Sequence, residues 1–486
     1  MPSNEPSRGG RRHTVIVSDV HLSQAHPEDA ADPLWMRYRK REFHPDTDFA
    51  SLVDHLLAEH GNDAIELVFN GDVLDFDAPW VKDGTSSFEE FPLTDVGCAE
   101  HARRLIADHG TWFRAVARAL NAGHRLLLLS GNHDVELYWP GVRRAVREEI
   151  VALCRAEAAG AAVDSASLEA RIRFRAWFHL TEDLIYIEHG SQYDMFNGVR
   201  HAMLPLTRSR SSIHPQMGKL AFKRTGSRMG YFNPYYEETF YLGLTGYLGH
   251  FYRFYARSHR HIIRTWFFGA VSTAAEIWRH RHREDWYAEA RALAHAETGA
   301  SEAAIDATQA LVARPAEEQM IPILRELWLD RVFLALFVLL ASLLAFLLAG
   351  HAAIYVLLAL LGLFVVYEVV TPKPDIRTYD SAPPAVKGLF EIHDARAVCL
   401  GHTHRPYGEW EERGGLLRFY GNSGSWCPAF HDQDCTQPVL AARPLLWLTS
   451  EAGEVSGGLH WWNGSELVPE AGAVRERPLV NAELLP

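Results

Sequence analysis

Up to residue 190, short apolar runs alternate with longer amphipathic stretches. The runs at 14–18, 65–70, 125–130 and 184–188 have strand length and lead into turn-forming residues. Between them, Phe49, Leu52, Val53, Leu56 and Leu57 recur at helical spacing, and 98–119 and 142–156 read as further helices. Each helix has an apolar face to bury and each sheet offers a face to cover, which predicts an α/β domain. Strand patterning returns at 396–400, 416–420 and 445–448, with a further strand expected at 459–462.

The stretch between His189 and Gly401 is far too long for a connection and must carry structure of its own. The chain thus divides into an N-terminal part at 1–190, a mainly helical insertion at 191–390 and a C-terminal part at 391–486 that completes the first. Residues 195–236 contain no acid but hold Arg200, Arg208, Arg210, Lys219, Lys223, Arg224 and Arg228. Beyond them, Tyr247, Phe251, Tyr252, Phe254, Tyr255, Trp266 and Phe267 interleave with Arg253, Arg257, Arg260 and Arg264. Rings beside arginines suit an anionic membrane interface, where aromatic groups sit among headgroups and guanidinium groups meet phosphates. A helical packing subdomain with solvated arginines is the competing account.

The sharpest break lies at 332–350, a mostly apolar run without formal charge, followed after His351 by a second such run at 352–367. A helix of the first length rises about 28 Å, close to the thickness of bilayer hydrocarbon. Two such helices make a hairpin with Gly350 and His351 at its apex, and Arg331, Lys373 and Arg377 fit a cytoplasmic return. The second run is short for a full span, which leaves a re-entrant hairpin open. Buried soluble helices or an apolar dimer interface are the remaining accounts of this region.

The balance of 61 acids to 48 bases, a net charge of -13, argues against a generally basic nucleic-acid-binding surface. Five cysteines, Cys98, Cys154, Cys399, Cys427 and Cys435, lack zinc-finger spacing and point to a reducing compartment rather than a disulfide framework. The polar first twelve residues lead into the first strand without an export signal, so the N-terminus is expected in the cytoplasm.

The candidate chemistry sits where predicted strands end. Asp19 and His21 follow the first strand, Asp72 and Asp75 the second, Asn132, His133 and Asp134 the third, His189 the fourth, and His402, His404 and Arg405 a late one. Open α/β sheets place ligands at such strand ends. Each element is weak by itself, since Gly-Asp and Gly-Asn also make ordinary turns. Their ordered recurrence is the signal. Oxygen and imidazole donors without cysteine suit manganese, iron, zinc or a similar divalent metal. Two ions would explain the number of donors, with Asp72 as the candidate bridging carboxylate. A water shared between two such ions loses a proton readily, and the resulting hydroxide can attack phosphorus.

Asp19-Val20-His21, Gly71-Asp72-Val73-Leu74-Asp75, Gly131-Asn132-His133-Asp134, His189-Gly190 and Gly401-His402-Thr403-His404 together resemble the signature of the calcineurin-like metallophosphoesterase superfamily. The resemblance spans residue 14 to about 430 outside most of the insertion, and it implies a four-layer α/β/β/α sandwich. It assigns Asp19, His21, Asp72 and His404 to one metal, and Asp72, Asn132, His189 and His402 to the other. It also gives His133 the task of contacting phosphate and protonating the leaving oxygen, with Asp134 orienting its ring. Asp75 and Arg405 are candidate substrate-facing residues. Ser18-Asp19-Val20-His21-Leu22, Phe69-Asn70-Gly71-Asp72 and Gly421-Asn422-Ser423-Gly424-Ser425-Trp426 look most like the branch of pyrophosphatases that cleave UDP-diacylglucosamine. The chain departs from that branch at His133, where arginine is usual, at Ser191, where aspartate is common, and in its membrane-like insertion.

The expectation is a hydrolase at the cell membrane, its catalytic part facing the cytoplasm. It would use two divalent ions, manganese first with iron or zinc as alternatives, on a phosphorylated or pyrophosphate-containing small molecule or lipid headgroup. A phosphodiesterase for soluble substrates, a noncatalytic membrane scaffold or sensor, and a nuclease are the competing functions. Oligomeric state and the bond cleaved are left open.

Overall fold

Successive strand side chains point to opposite faces, and the central strands of this chain are apolar on both, so each sheet must be covered twice. A computed structural model gives the arrangement for residues 11–158, 164–231, 233–235, 244–256, 261–281, 286–371 and 386–475. The first ten residues, Tyr236, Arg257, Arg260, Lys373, Arg377 and the Tyr247 side chain lie outside the described set.

The larger sheet contains β1 (Arg11–Val17), β2 (Ala64–Asn70), β5 (Arg125–Leu129), β6 (Ile172–Arg175), β12 (Arg443–Glu451), β13 (Glu454–Trp462) and β14 (Leu467–Arg475), in the order β14-β13-β12-β1-β2-β5-β6. The smaller sheet contains β7 (Phe178–Leu180), β8 (Ile185–Glu188), β9 (Ala397–Leu400), β10 (Tyr407–Arg413) and β11 (Leu416–Asn422), in the order β10-β11-β9-β8-β7. A hairpin of β3 (Trp80–Lys82) and β4 (Thr85–Ser87) stands apart from both. β1, β2, β5 and β6 run parallel, as do β8, β9 and β11, while β12, β13, β14, β7 and β10 each pair antiparallel with a neighbour.

Three buried clusters give the layering. Val15, Val17, Leu67, Phe69, Leu126 and Leu128 face α1 (Asp46–His60), α2 (Asp95–Asp108), α3 (Gly110–Asn121) and α4 (Pro140–Glu157). Within this layer Trp112 stacks on Phe49 with ring centroids 3.8 Å apart. The opposite face, with Ile16, Val68, Leu127 and Leu129, packs on Ile185, Ile187, Ala397 and Cys399 of the smaller sheet. The outer face of that sheet, through Tyr186, Val398 and Leu400, is covered by Ala290, Ala294, Ile305 and Phe390. The expected α/β/β/α sandwich results, and most of its fourth layer comes from helices at Tyr287–Thr298 and Glu302–Leu311, inside the insertion.

Where one helix was expected over 98–119, the chain forms two that meet at His109. The buried His109 ring lies 2.9 Å from Asp46 Oδ2 and 2.9 Å from the Ser23 carbonyl, and the bend is what brings it there. The sequence pattern also passed over β6, β7, β10 and β14. All four lie at sheet edges, where polar residues such as those of β10 suppress an apolar signature.

The insertion continues the fold through the helix Ile262–His280, whose Ala270, Ala274 and Ile277 share a core with Leu220, Ile323, Leu327 and Leu329. From that core rise two helices, Leu329–Ala349 and Ala353–Val370, both long and apolar enough to cross a membrane. They are antiparallel. Gly350 turns the chain with φ 56°, and at the root Arg331 Nε donates to Glu368 at 2.8 Å while Tyr367 donates to Asp330 at 2.6 Å. Their side chains are largely uncovered, with Leu347 72% and Val369 79% exposed, which supports membrane association.

If the hairpin crosses the bilayer, a cysteine placed at His351 should react with an impermeant maleimide from one side. A cysteine at the exposed Asn463, between β13 and β14, should react from the other. The five native cysteines are buried and give a low background. Labelling of both positions from the same side would exclude a full crossing.

Candidate metal centre

The parallel strands set the position of every motif. Asp19, Asp72 and Asn132 follow the carboxyl ends of β1, β2 and β5, and His189 and His402 follow those of β8 and β9. Asn70 joins the two sheets at this edge, its side chain donating to the Glu188 carbonyl at 2.9 Å while its own carbonyl accepts from His189 Nδ1 at 2.8 Å. That bond leaves His189 Nε2 facing Asp72 Oδ2 at 3.3 Å and Asn132 Oδ1 at 3.2 Å.

A second set assembles around Asp19. His404 Nε2 lies 3.2 Å from Asp19 Oδ1 and 3.2 Å from His21 Nε2, while His404 Nδ1 bonds to the Tyr235 carbonyl at 3.2 Å. Asp19, His21 and His404 form one group able to hold a metal ion, and Asp72, His189 and His402 form another, with the donor atoms of each group within 4.8 Å of one another. Asp72 also groups with His21 and His133, which places its carboxylate between the two sets. Asp19 Oδ1 and His21 Nδ1 are buried without a hydrogen-bond partner; the nearest carboxylate oxygen to His21 Nδ1, on Asp75, is 4.0 Å away. Buried donor atoms left unsatisfied in this way fit a cation.

Backbone strain is concentrated in the same residues. Asp19, His21, Asp72, His402 and His404 all have positive φ, between 52° and 69°. Such conformations cost on the order of 1–3 kcal/mol each and persist only where the surroundings impose them. Two glycines make room for the cluster. A Cβ on Gly131 would lie 2.2 Å from Asp72 Oδ1, and one on Gly71, whose φ is 81°, would lie 2.4 Å from His189 Nδ1.

The electrostatics call for positive charge. Burial pushes Asp72 upward, but His189, His133 and His21 outweigh it and hold the carboxyl well below its usual range. Asp19 is likewise lowered against its burial by His189 and His404. In turn, burial pulls His189 down, yet Asp72 and Asp19 raise it to about 9. His21 differs, since burial and the neighbouring His133 keep it neutral, at about 3, with its lone pairs available.

The other predicted residues divide. His133 is close by, its ring centroid 4.7 Å from that of His21, and its amide donates to Asp72 Oδ1 at 2.7 Å. Asp134 does not orient it. Its carboxylate is taken up by the amides of Gly131 at 2.6 Å, Val73 at 2.9 Å and Leu74 at 3.4 Å, so it clamps two loops together. The carboxylates beside His133 Nδ1 are Asp77 at 3.1 Å and Asp75 at 3.6 Å. Asp75 is fully buried and accepts from the Tyr235 hydroxyl at 2.7 Å, so it lies beneath the centre. Arg405 lines a cavity of about 210 Å³ with Phe43, Tyr235, His404, Phe430 and Leu440. Ser425 donates to the Asp19 carbonyl at 2.8 Å and Asn422 to the Gly401 carbonyl at 2.6 Å, and Trp426 is wholly in the core.

Four residues at the centre were not read from the sequence. Asp77 extends the Asp72, Asp75 run by one more carboxylate, the only advance sign among them. Asp194 lies 3.1 Å from His402 Nε2, three residues beyond the Ser191 that stands where an aspartate was expected. Lys219 and Tyr235 come from the insertion. Lys219 Nζ is buried 3.2 Å from Asp77 and 3.0 Å from Glu136; burial lowers it, and these two carboxylates more than compensate. A further group, His13, His60 and Asp63, sits at the far end of β1.

No protein-family model matches this chain, and no curated protein matches it significantly.

Gly131→Ala should weaken metal retention at least tenfold after gel filtration, read by elemental analysis, because the new methyl group displaces Asp72. Lys219→Met leaves Asp77 and Glu136 buried without their cation and should destabilise the fold by about 3–5 kcal/mol in urea unfolding. A shift below about 1 kcal/mol would show that the ion network does not tie the insertion to the centre.

Proposed function

We propose that this protein is a membrane-associated, dinuclear metal-dependent phosphoester hydrolase acting on a phosphorylated or pyrophosphate-containing amphiphile. The observation that carries this reading is that Asp72 belongs both to a group able to hold a metal with His189 and His402 and to one with His21 and His133. In this reading Asp19, His21, Asp72 and His404 hold one ion, and Asp72, Asn132, His189 and His402 the other. Two divalent ions there, manganese first with iron or zinc as alternatives, would supply acidified water and neutralise phosphoryl charge. The motif resemblance to calcineurin-like metallophosphoesterases supports the same assignment.

The residues of the chain then have distinct tasks. Asn70 and Tyr235 accept from His189 Nδ1 and His404 Nδ1, which directs the Nε2 atoms of both rings into the centre. His133, backed by Asp77 and Asp75, holds a proton for the leaving oxygen. Arg405 offers its guanidinium to a phosphate oxygen at the mouth of the cavity, and Phe43, Phe430 and Leu440 supply an apolar wall for the rest of the substrate. The hairpin would hold this opening near the bilayer, with the catalytic part on the cytoplasmic side, where arginine-flanked returns and free thiols are at home.

Chelation should abolish phosphoester hydrolysis by the detergent-solubilised protein, and added manganese should restore it. His21→Ala and Asp72→Asn should each lower turnover by on the order of a thousandfold. Normal metal-replete turnover by either variant would refute the centre. Matched lipid and water-soluble phosphoesters, with products identified by mass spectrometry, test the substrate class: preference for the soluble compounds under non-limiting delivery would sink the amphiphile assignment.

A further inference from the structure

Away from the metal centre, a cavity of about 600 Å³ opens beside the helix Ile262–His280. Arg224, Arg228 and Arg264 line it together with Thr265 and Ser272, and Glu90 is the only carboxylate among the described residues of the lining. Arg224 Nε meets Glu90 at 3.0 Å, and its Nη2 lies 4.0 Å from Glu276, whose carboxylate is also engaged by His280 at 2.9 Å. Arg228 donates through Nη2 to the Phe88 carbonyl at 2.9 Å, while its Nε is buried without a hydrogen-bond partner. Arg264 lies over the Phe268 ring and has no carboxylate partner among the described residues. Three guanidinium groups thus share a pocket in which Glu90 neutralises Arg224, while Arg228 and Arg264 have no carboxylate partner among the described residues.

The helix explains what would fill it. Ala270, Thr273 and Ile277 are buried toward the core shared with the hairpin root, through Ile323, Leu327 and Leu329. Thr265, Gly269 and Ser272 line the pocket. Ile263, Phe268, Val271 and Trp278, 39–66% exposed, fall on a third side at 3.6 residues per turn, and Phe268 belongs to both the apolar stripe and the pocket rim. Ile321 and Trp328, exposed at the hairpin root, extend the apolar surface. A pocket with excess positive charge, bordered by exposed apolar side chains and beside membrane-length helices, is complementary to one phosphate-bearing headgroup with its acyl chains outside.

We infer that Arg224, Arg228 and Arg264 form a binding site for the phosphate headgroup of an anionic membrane lipid, separate from the hydrolytic centre. The inference rests on the membrane-associated reading and not on catalysis. A bound lipid would fix the insertion against the bilayer at the helix Met217–Arg224, which carries Arg224 in the pocket and Lys219 at the metal centre.

Native mass spectrometry of the full-length protein in neutral detergent, titrated with dihexanoyl-phosphatidylglycerol, dihexanoyl-phosphatidylcholine or inorganic phosphate, tests this. The phosphatidylglycerol adduct should be the tightest. Arg228→Gln combined with Arg264→Gln should weaken it at least tenfold, and Arg264→Lys, which keeps the charge, should largely retain it. Circular dichroism and metal content serve as folding controls. Equal binding by wild type and the double variant, or equal affinity for the phosphatidylcholine, would overturn the site. Inorganic phosphate binding as tightly as phosphatidylglycerol would overturn the lipid as occupant. The readout is retention rather than turnover, so this failure is distinct from failure of the hydrolase reading.

Discussion

Two carboxylates buried in the same place set the terms for this molecule. Asp19 and Asp72 are at most 1% exposed, and the groups that approach them in ion-pair range are the imidazoles of His404 and His189. Removing such a charge from water costs several kcal/mol even after relaxation, and a neutral imidazole returns little of that. Either protons or cations must supply the missing positive charge. The raised His189 and the lowered Asp72 express this demand in protons, and the unsatisfied Asp19 Oδ1 and His21 Nδ1 leave donor atoms that protons have not used. Five of the residues involved hold left-handed backbone conformations, an arrangement that folding alone would not favour.

What imposes this arrangement is the sandwich. Parallel strands from both sheets end at one edge, and the Asn70 contacts to Glu188 and His189 fix the sheets against each other there. The insertion adds the rest of the enclosure. Lys219 reaches Asp77 and Glu136, and Tyr235 contacts both Asp75 and His404, so a segment that looks separable in the sequence forms part of the wall. Loss of a contact here would act on the centre through the carboxylates behind His133 and, at Tyr235, through the ring of His404.

Much of this was legible because local signals and global fold agree. The strands at 14–18, 65–70 and 125–130 were readable as short apolar runs ending in glycine or polar turns, and the motif residues were readable because their chemistry sits at those ends. The apolar hairpin was equally clear from length and lack of charge. At Asp134 adjacency in sequence to His133 suggests a partnership, whereas its oxygens are turned to the amides of Gly131, Val73 and Leu74. Asp194, Lys219 and Tyr235 left no pattern, since their roles depend on where the insertion folds back. The break at His109 was hidden for a related reason: the helical periodicity is undisturbed, and only the distant Asp46 and Ser23 carbonyl explain the bend.

The same long-range contacts constrain the hairpin. His21 Nε2 and His404 Nε2 lie 3.2 Å apart across 383 positions of sequence, one before the apolar helices and one after them. A single crossing would leave these imidazoles on opposite sides of a bilayer, so the chain must cross an even number of times or not at all. Among the described helices, the only pair of membrane length runs antiparallel and closes at its root through Arg331 with Glu368 and Tyr367 with Asp330. Those polar contacts would be costly within hydrocarbon, so if the hairpin enters a bilayer its root lies at the interface and both flanking chains on one side. The centre therefore dictates the membrane topology, because a site assembled from both halves of the chain tolerates an anchor between them only if that anchor returns to where it began.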